Sequence, residues 1–294
     1  MILQGNRRRL REARNGFGFV APTLIMTLVF VVFPVLFSLY MSFQKWSMLE
    51  PPQFVGLSNY TTLINDPEFW QILKNTLYYT LSVPIGIVTA LPIAILLNRP
   101  LAGQGIHRTV FFLPMVTSTI VVSQVFTWLY EPTYGLANHI LKTIGIAPQM
   151  WLDSPKTAMA SIILMSVWQN TGYRAILLLA GLQSIPKEFY EAAEVDGANK
   201  WHSFWSITLP MLKPTLFYLI ITGLIGSFQV FSSIYAMTRG GPLNSTNTIV
   251  YAIYQNAFEF FKMGYACSMA YVLFLITFVI TAVQWRYREF FTAD

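Results

Sequence analysis

Residues 184–214 read SIPKEFYEAAEVDGANKWHSFWSITLPMLKP. They separate two long apolar runs, Ala158–Leu182 and Thr215–Tyr235, and they are not composed like a linker. Pro186 suits the first turn of a helix. Lys187 to Val195 then read as helix, with Glu188 and Glu191 near its positive N-terminal end. Gly197 is placed to end that helix, and Lys200 to Phe204 resume a short helical turn. Phe189, Ala192, Ala193, Trp201, Phe204 and Trp205 are too apolar for a loop in water. A partner protein is the expected cover; the plainer alternative is a helix lying on the membrane interface.

Outward from this segment the chain is dominated by apolar runs. A membrane-crossing helix needs roughly 20 mostly apolar residues. Six stretches qualify: Val20–Met41, Asn75–Leu97, Val110–Tyr130, Ala158–Leu182, Thr215–Tyr235 and Tyr265–Trp285. Hydrophobic residues make up 54% of the 294 and charged residues 11%. So few charges cannot cover a water-facing surface of this size, so lipid is the expected solvent for much of it. The fold class read here is all-α: a polytopic membrane protein of six transmembrane helices. Pro34, Pro84, Pro92 and Pro114 fall in or near the runs, where kinks are tolerated if neighbours satisfy the freed carbonyls. Ser82, Gly86, Ala90 and Ala94 recur every four residues, a face on which helix backbones can approach closely. The first run is too long for a signal-peptide core and reads as a retained anchor.

The net charge is +6. Its basic residues flank apolar runs, which fits membrane orientation better than nucleic-acid binding. With both termini cytoplasmic, the inner segments hold Arg7, Arg8, Arg9, Arg11, Arg14, Arg99, Arg108, Lys187, Lys200, Lys213, Arg286 and Arg288. The outer segments hold Lys45, Lys74, Lys142, Lys156, Arg239 and Lys262. That excess places both termini inside. The organisation expected is a basic cytoplasmic segment, 1–16, a membrane domain, 17–288, with its inner loop at 184–214, and a cytoplasmic tail, 289–294.

The inner loop also carries a spaced pattern: Glu191-Ala192-Ala193, three residues, Gly197, nine residues, Ile207, one residue, Leu209-Pro210. It resembles the EAA motif of permease subunits of binding-protein-dependent ABC importers. The flanking 179–186, AGLQSIP-like, and Asp196-Gly197-Ala198 look like the carbohydrate-uptake branch, the maltose and glycerol-3-phosphate type. Gly56-Leu57-Ser58-Asn59-Tyr60 and Gly240-Gly241-Pro242 resemble two further segments of that branch. The large outer-loop insertion of the maltose-type long subunit is missing, which suggests the compact six-helix form. The resemblance implies a bacterial inner-membrane subunit that imports a sugar or sugar-like solute by alternating access. Its implied partners are a second homologous permease, two ATPase subunits that carry ATP and Mg, and a soluble solute-binding protein outside. It further implies that 184–214 is a coupling loop. Glu191 would pair with a basic ATPase residue, Ala192 and Ala193 would allow close packing, Gly197 would make the turn, and Ile207, Leu209 and Pro210 would complete the motif.

Polar groups within apolar runs are functional candidates by default. One cluster is Trp168, Gln169, Asn170, Thr171, Tyr173 and Arg174; another is Ser227, Gln229, Ser232, Ser233 and Tyr235. Amides and hydroxyls suit sugar hydroxyls and aromatic rings suit sugar faces. The substrate-path candidates are Trp168, Asn170, Tyr173, Gln229, Ser232 and Ser233, with helix–helix hydrogen bonding the competing use of the same groups. Arg174 either meets an anionic solute group, snorkels to headgroups or serves structure. No catalytic or metal-binding set is expected. The runs contain essentially no Asp, Glu or His, the three histidines are scattered, and Cys267 stands alone. With no phosphate-binding G-x-x-x-x-G-K-[ST] loop, ATP hydrolysis is expected on another chain. A membrane-embedded lipid- or sugar-modifying enzyme and a passive channel are the alternatives; the first lacks acids and bases, and the second leaves the 184–214 pattern unexplained.

Overall fold

The computed structural model describes residues 16–100 and 103–286. The basic segment 1–15 and the residues after Arg286, Arg288 and the 289–294 tail included, lie outside the described residues. In chain order the elements are α1 (Gly16–Ser42), β1 (Gln44–Lys45), β2 (Gln53–Phe54), α2 (Ser58–Asn65) and α3 (Pro67–Leu97). There follow α4 (Gln104–Val116), α5 (Thr119–Leu129), α6 (Leu136–Thr143), α7 (Ala158–Gln183) and α8 (Lys187–Val195). The last are α9 (Lys200–Met211), α10 (Lys213–Phe228), α11 (Ser232–Met237), α12 (Ile249–Tyr254) and α13 (Met263–Arg286). The all-α expectation stands, apart from the one two-stranded antiparallel ribbon of β1 and β2.

By length and apolarity, α1, α3 and α13 can each cross a membrane, and the bent pairs α4–α5 and α9–α10 raise the number to five. The remaining expected run, α7, is long enough at 26 residues but is too polar to count. It needs little apolar surface because so much of it is covered by protein. The α1 run shows the reverse: none of its most apolar window is buried. A helix this apolar and this exposed has lipid, not water, as its solvent.

Two expected helices are broken. The run Val110–Tyr130 splits into α4 and α5, bent by 93°, because Thr117 and Ser118 adopt extended backbone. The Gln169 amide of α7 donates to the Thr117 carbonyl at 3.2 Å and to Thr119 Oγ1 at 3.3 Å. It thereby satisfies a helix end that lipid cannot. The run Thr215–Tyr235 ends early at Phe228, and Val230 O is taken by Thr248 Oγ1 at 3.3 Å before α11 begins. The short turn expected at Lys200–Phe204 instead continues to Met211 through a wide π turn at Phe204–Thr208. A matching π turn, Leu28–Val32, interrupts α1. Each ends two residues before a proline, Pro210 and Pro34, whose ring and missing N–H do not fit a regular turn.

The chain divides into two compact units. The first is 1–63 with 256–271. In it the Asn59 amide donates to the carbonyls of Ser42 at 2.8 Å and Gln44 at 2.9 Å, and the Tyr60 and Ser42 hydroxyls lie 2.7 Å apart. Asn59 and Tyr60 thus clasp the end of α1. Tyr271 of α13 donates to the Val35 carbonyl. Gly264 is needed because a Cβ there would collide with the Gln44 carbonyl oxygen.

The second unit is 64–255 with 272–294, and α7 is its centre. One core cluster joins Tyr79, Ile162, Met165, Ile234 and Tyr251; the other joins Val83, Ala90, Ala94, Ala175, Leu178, Leu212 and Leu219. The four-residue seam Ser82, Gly86, Ala90 and Ala94 is buried and faces inward within this chain. In lipid the gain is close contact rather than escape from water, and Gly172 brings α7 against the backbone of α4. A Cβ there would collide with the carbonyl of Phe111 on α4. Away from the seam, Asn75 donates to the carbonyls of Asn244 at 2.8 Å and Asn247 at 2.9 Å, and Thr76 Oγ1 accepts from Ile249 N at 3.0 Å. These bonds pin the 238–248 loop, whose Thr246, Asn247 and Thr248 are buried.

Gly172→Ala is expected to lower stability by about 1–3 kcal/mol through overpacking. Gly105→Ala, which meets open space, is expected to have no such effect. Thermal melting of both variants in detergent checks the difference.

Candidate functional site

Helical periodicity sorts the α7 cluster. Ser166, Asn170, Tyr173 and Arg174 follow one another at i, i+4, i+7 and i+8, one face of a helix. All four line a cavity of about 250 Å³ between α3, α7 and α10. Tyr79 and Ser82 line it from α3, and Thr222, Gly223, Gly226 and Ser227 from α10. The other members point elsewhere. Gln169 caps the α4–α5 break, Thr171 bonds back to the Val167 carbonyl at 2.6 Å, and Trp168 is half exposed with its ring 5.2 Å from Phe126.

Of the substrate-path candidates, the structure therefore brings Asn170 and Tyr173 to the cavity. Trp168, Gln229, Ser232 and Ser233 are outside its lining. Gln229 is exposed at the end of α10, and Ser232 is half-buried at the start of α11. Ser233 is buried against the Tyr79 hydroxyl, which donates to Ser166 Oγ at 2.8 Å. Sequence reasoning missed Tyr79 and Ser166. Tyr79, Ser82 and Gly86 share a face of α3 at i, i+3 and i+7, and that spacing was the available clue.

Arg174 is accommodated by Gly86. A Cβ at 86 would overlap the guanidinium Nη1. That nitrogen is buried and has no hydrogen-bond partner among the described residues. Among the described residues, no Asp or Glu lines the cavity. Chemically this is a wall of hydroxyls, one amide, two phenols and one cation, able to bind a polyhydroxyl solute.

The 184–214 segment forms a second candidate site. In α8, Glu191 and Ala192 are exposed and Ala193 is half-buried. Gly197 has φ +77°, a left-handed conformation that favours glycine, and it meets open space. The Ala198 N–H donates to Ala193 O at 2.8 Å and Gly197 N–H to Glu194 O at 3.0 Å, closing the helix end. Asn199 then caps α9, accepting from His202 N at 2.8 Å. The Tyr190 and Thr208 hydroxyls, 3.0 Å apart, tie α8 to the helix beyond the turn. Ile207, Leu209 and Pro210 are half-buried, and Ile207 packs on the second core cluster. Between the two arms runs a groove of about 470 Å³, lined by Ala193, Gly197, Asn199, His202 and Ile207 among others. Phe189, Trp201 and Trp205 project outward, half exposed or more; Trp201 stacks on Phe204, and Trp205 meets both edge-on, with ring centroids 5.3–6.2 Å apart.

A family model described as binding-protein-dependent transport system inner membrane component matches residues 82–287. The chain belongs to this family. It is 40% identical to the lactose transport system permease protein LacF of Rhizobium radiobacter, over 92% of each chain. It is 37% identical to the sulfoquinovosyl glycerol transport system permease protein SmoG of Agrobacterium fabrum, over 91% of this chain and 88% of that one. The fold matches a crystallised bacterial alginate ABC transporter chain, in complex with a pentasaccharide-bound periplasmic protein, at TM-score 0.83 and 24% identity over 98% of both. As an inner membrane component of such a system, this is a multi-pass membrane protein and a non-catalytic transport subunit.

Because Arg174 is flexible and Gly86 is not, Gly86→Ala is expected to rotate the guanidinium out of its berth while lowering the melting temperature by at most a few degrees. A structure of the variant, beside its melting curve, checks this.

Proposed function

We propose that this chain is one permease subunit of an ATP-driven importer that moves a sugar or sugar-like solute across the bacterial inner membrane by alternating access. It pairs with a second homologous permease and two ATPase subunits, which bind ATP and Mg, and it receives solute from an extracytoplasmic binding protein. The 17–288 domain makes six crossings. α7 is the sixth, shielded from lipid by its neighbours, and both termini are cytoplasmic. The sugar class rests on the hydroxyl- and amide-rich cavity and on the lactose and sulfoquinovosyl glycerol systems to which the relatives belong.

The observation that carries the reading is the form of 184–214. Two helices meet at a fixed left-handed turn, are tied by Tyr190 and Thr208, and expose an aromatic surface outside the core. A rigid, apolar projection of this kind suits docking on another protein. Glu191 is the charged contact to a basic ATPase residue. Ala192 and Ala193 keep the approach close, Gly197 makes the bend, and Ile207, Leu209 and Pro210 anchor the far arm. Asn170 and Tyr173 touch solute directly. Trp168, Gln229, Ser232 and Ser233 belong to the wider path in other states of the transport cycle.

Glu191→Lys reverses the docking charge, and Gly197→Pro cannot adopt φ +77° because proline fixes φ near −65°. Each is expected to lower ATPase recovered by co-purification by about tenfold or more. Full recovery with both variants would remove the coupling role from this segment.

A further inference from the structure

We infer that the solute carries an anionic group and that Arg174 receives it. The inference rests on the reading of the α3–α7–α10 cavity as part of the solute path. Arg174 lines that cavity, yet its buried Nη1 finds no hydrogen-bond partner among the described residues. Its neighbours Tyr79, Ser82, Ser166, Asn170 and Tyr173 are neutral, and no carboxylate joins them. An uncompensated cation inside a membrane protein is unfavourable and normally has a partner. The partner proposed is an anion that arrives and leaves.

The two structural uses of such an arginine do not fit. A helix-to-helix bond would show an acceptor on Nη1, and none is found among the described residues; on α3 the guanidinium lies over Gly86. Snorkelling past the end of α7 would require the side chain to reach beyond Gln183, nine residues on and about 13 Å along the helix. Helical side chains lean toward the N-terminus, away from that end. A guanidinium presents a planar fork that matches a carboxylate, sulfonate or phosphate. The hydroxyls and the Asn170 amide around it supply what the uncharged part of a sugar requires. The class proposed is an acidic sugar or sugar ester, with its charged group on Arg174 and its hydroxyls toward Tyr79, Asn170 and Tyr173.

The test uses the complete importer in proteoliposomes with its own binding protein. Uptake is measured for neutral maltose, trehalose and lactose and for anionic digalacturonate, sulfoquinovosyl glycerol and glycerol 3-phosphate. The wild type is expected to take up at least one of the anionic probes. Arg174→Gln is expected to lower that uptake by ~10–100-fold, the weight of one charged hydrogen-bonded contact. Arg174→Lys keeps the charge without the fork, and is expected to raise KM several-fold with a smaller change in kcat. Wild-type uptake confined to neutral sugars would overturn the inference and leave sugar import standing. Uptake of none of the probes would overturn both. Anionic uptake by Arg174→Gln at the wild-type rate would also overturn the inference. If that variant fails to assemble, an unchanged KM in Arg174→Lys overturns it and the expected rise supports it.

Discussion

Lipid offers no hydrogen bonds, and that constraint governs how this chain can deviate from straight helices. Several irregularities among the described residues have their answer from within. Gln169 takes up the carbonyl freed at Thr117, and Thr248 takes up Val230. Asn59 holds the carbonyls beyond the end of α1, and Asn75 holds those of the 238–248 loop. Before Pro34 and Pro210 the backbone widens by one residue instead. A buried carbonyl left alone costs about 1–3 kcal/mol, so these polar side chains are as structural as any leucine.

The same constraint explains why the most polar of the long helices is so enclosed. α7 carries Ser161, Ser166, Gln169, Asn170, Thr171 and Arg174, and facing lipid it would strand them. It is accepted because its neighbours come close: a Cβ at Gly172 would collide with the Phe111 carbonyl, and one at Gly181 would lie 2.6 Å from the Thr215 hydroxyl. Close approach then leaves a void only where side chains are small. Ser82, Gly86, Gly223 and Gly226 are such places, and there the cavity and the Arg174 guanidinium lie. The packing solution and the candidate solute site are one arrangement.

Much of this was legible in the residues. The apolar runs announce the helices, and Pro186, Gly197 and the apolar aromatics announce a structured inner segment. The breaks were not legible. Thr117-Ser118 and Gln229-Val230 are ordinary within an apolar run, and what opens the helix there is a distant amide or hydroxyl, Gln169 or Thr248, that no local pattern connects to them. The sorting of 168–174 was only partly legible. A 3.6-residue period separates Asn170, Tyr173 and Arg174 from Trp168 and Gln169, but which face looks into a void depends on Gly86 and Gly223 of other helices. Six runs could be counted, but the polarity of α7 makes sense only once its neighbours are seen to cover it.

The 184–214 segment and the cavity are also joined mechanically. α7 ends at Gln183 and α8 begins at Lys187, while α9 ends at Met211 and α10 begins at Lys213. The two arms of the segment therefore continue into the two helices that wall the cavity opposite α3. Leu212 and Thr215 lock against Gly181, so the roots of α7 and α10 are held together. Arg174 and Thr222 are each within about 15 Å of those roots by helix rise. Under the proposed coupling, a push on the arms would tilt α7 and α10 against α3. The contacts available to yield are those of α3: Val83 on Gly223, and the Arg174 guanidinium on Gly86. Both involve a glycine and a side chain that can rotate, so the seam that would give way is also the one that holds the cation.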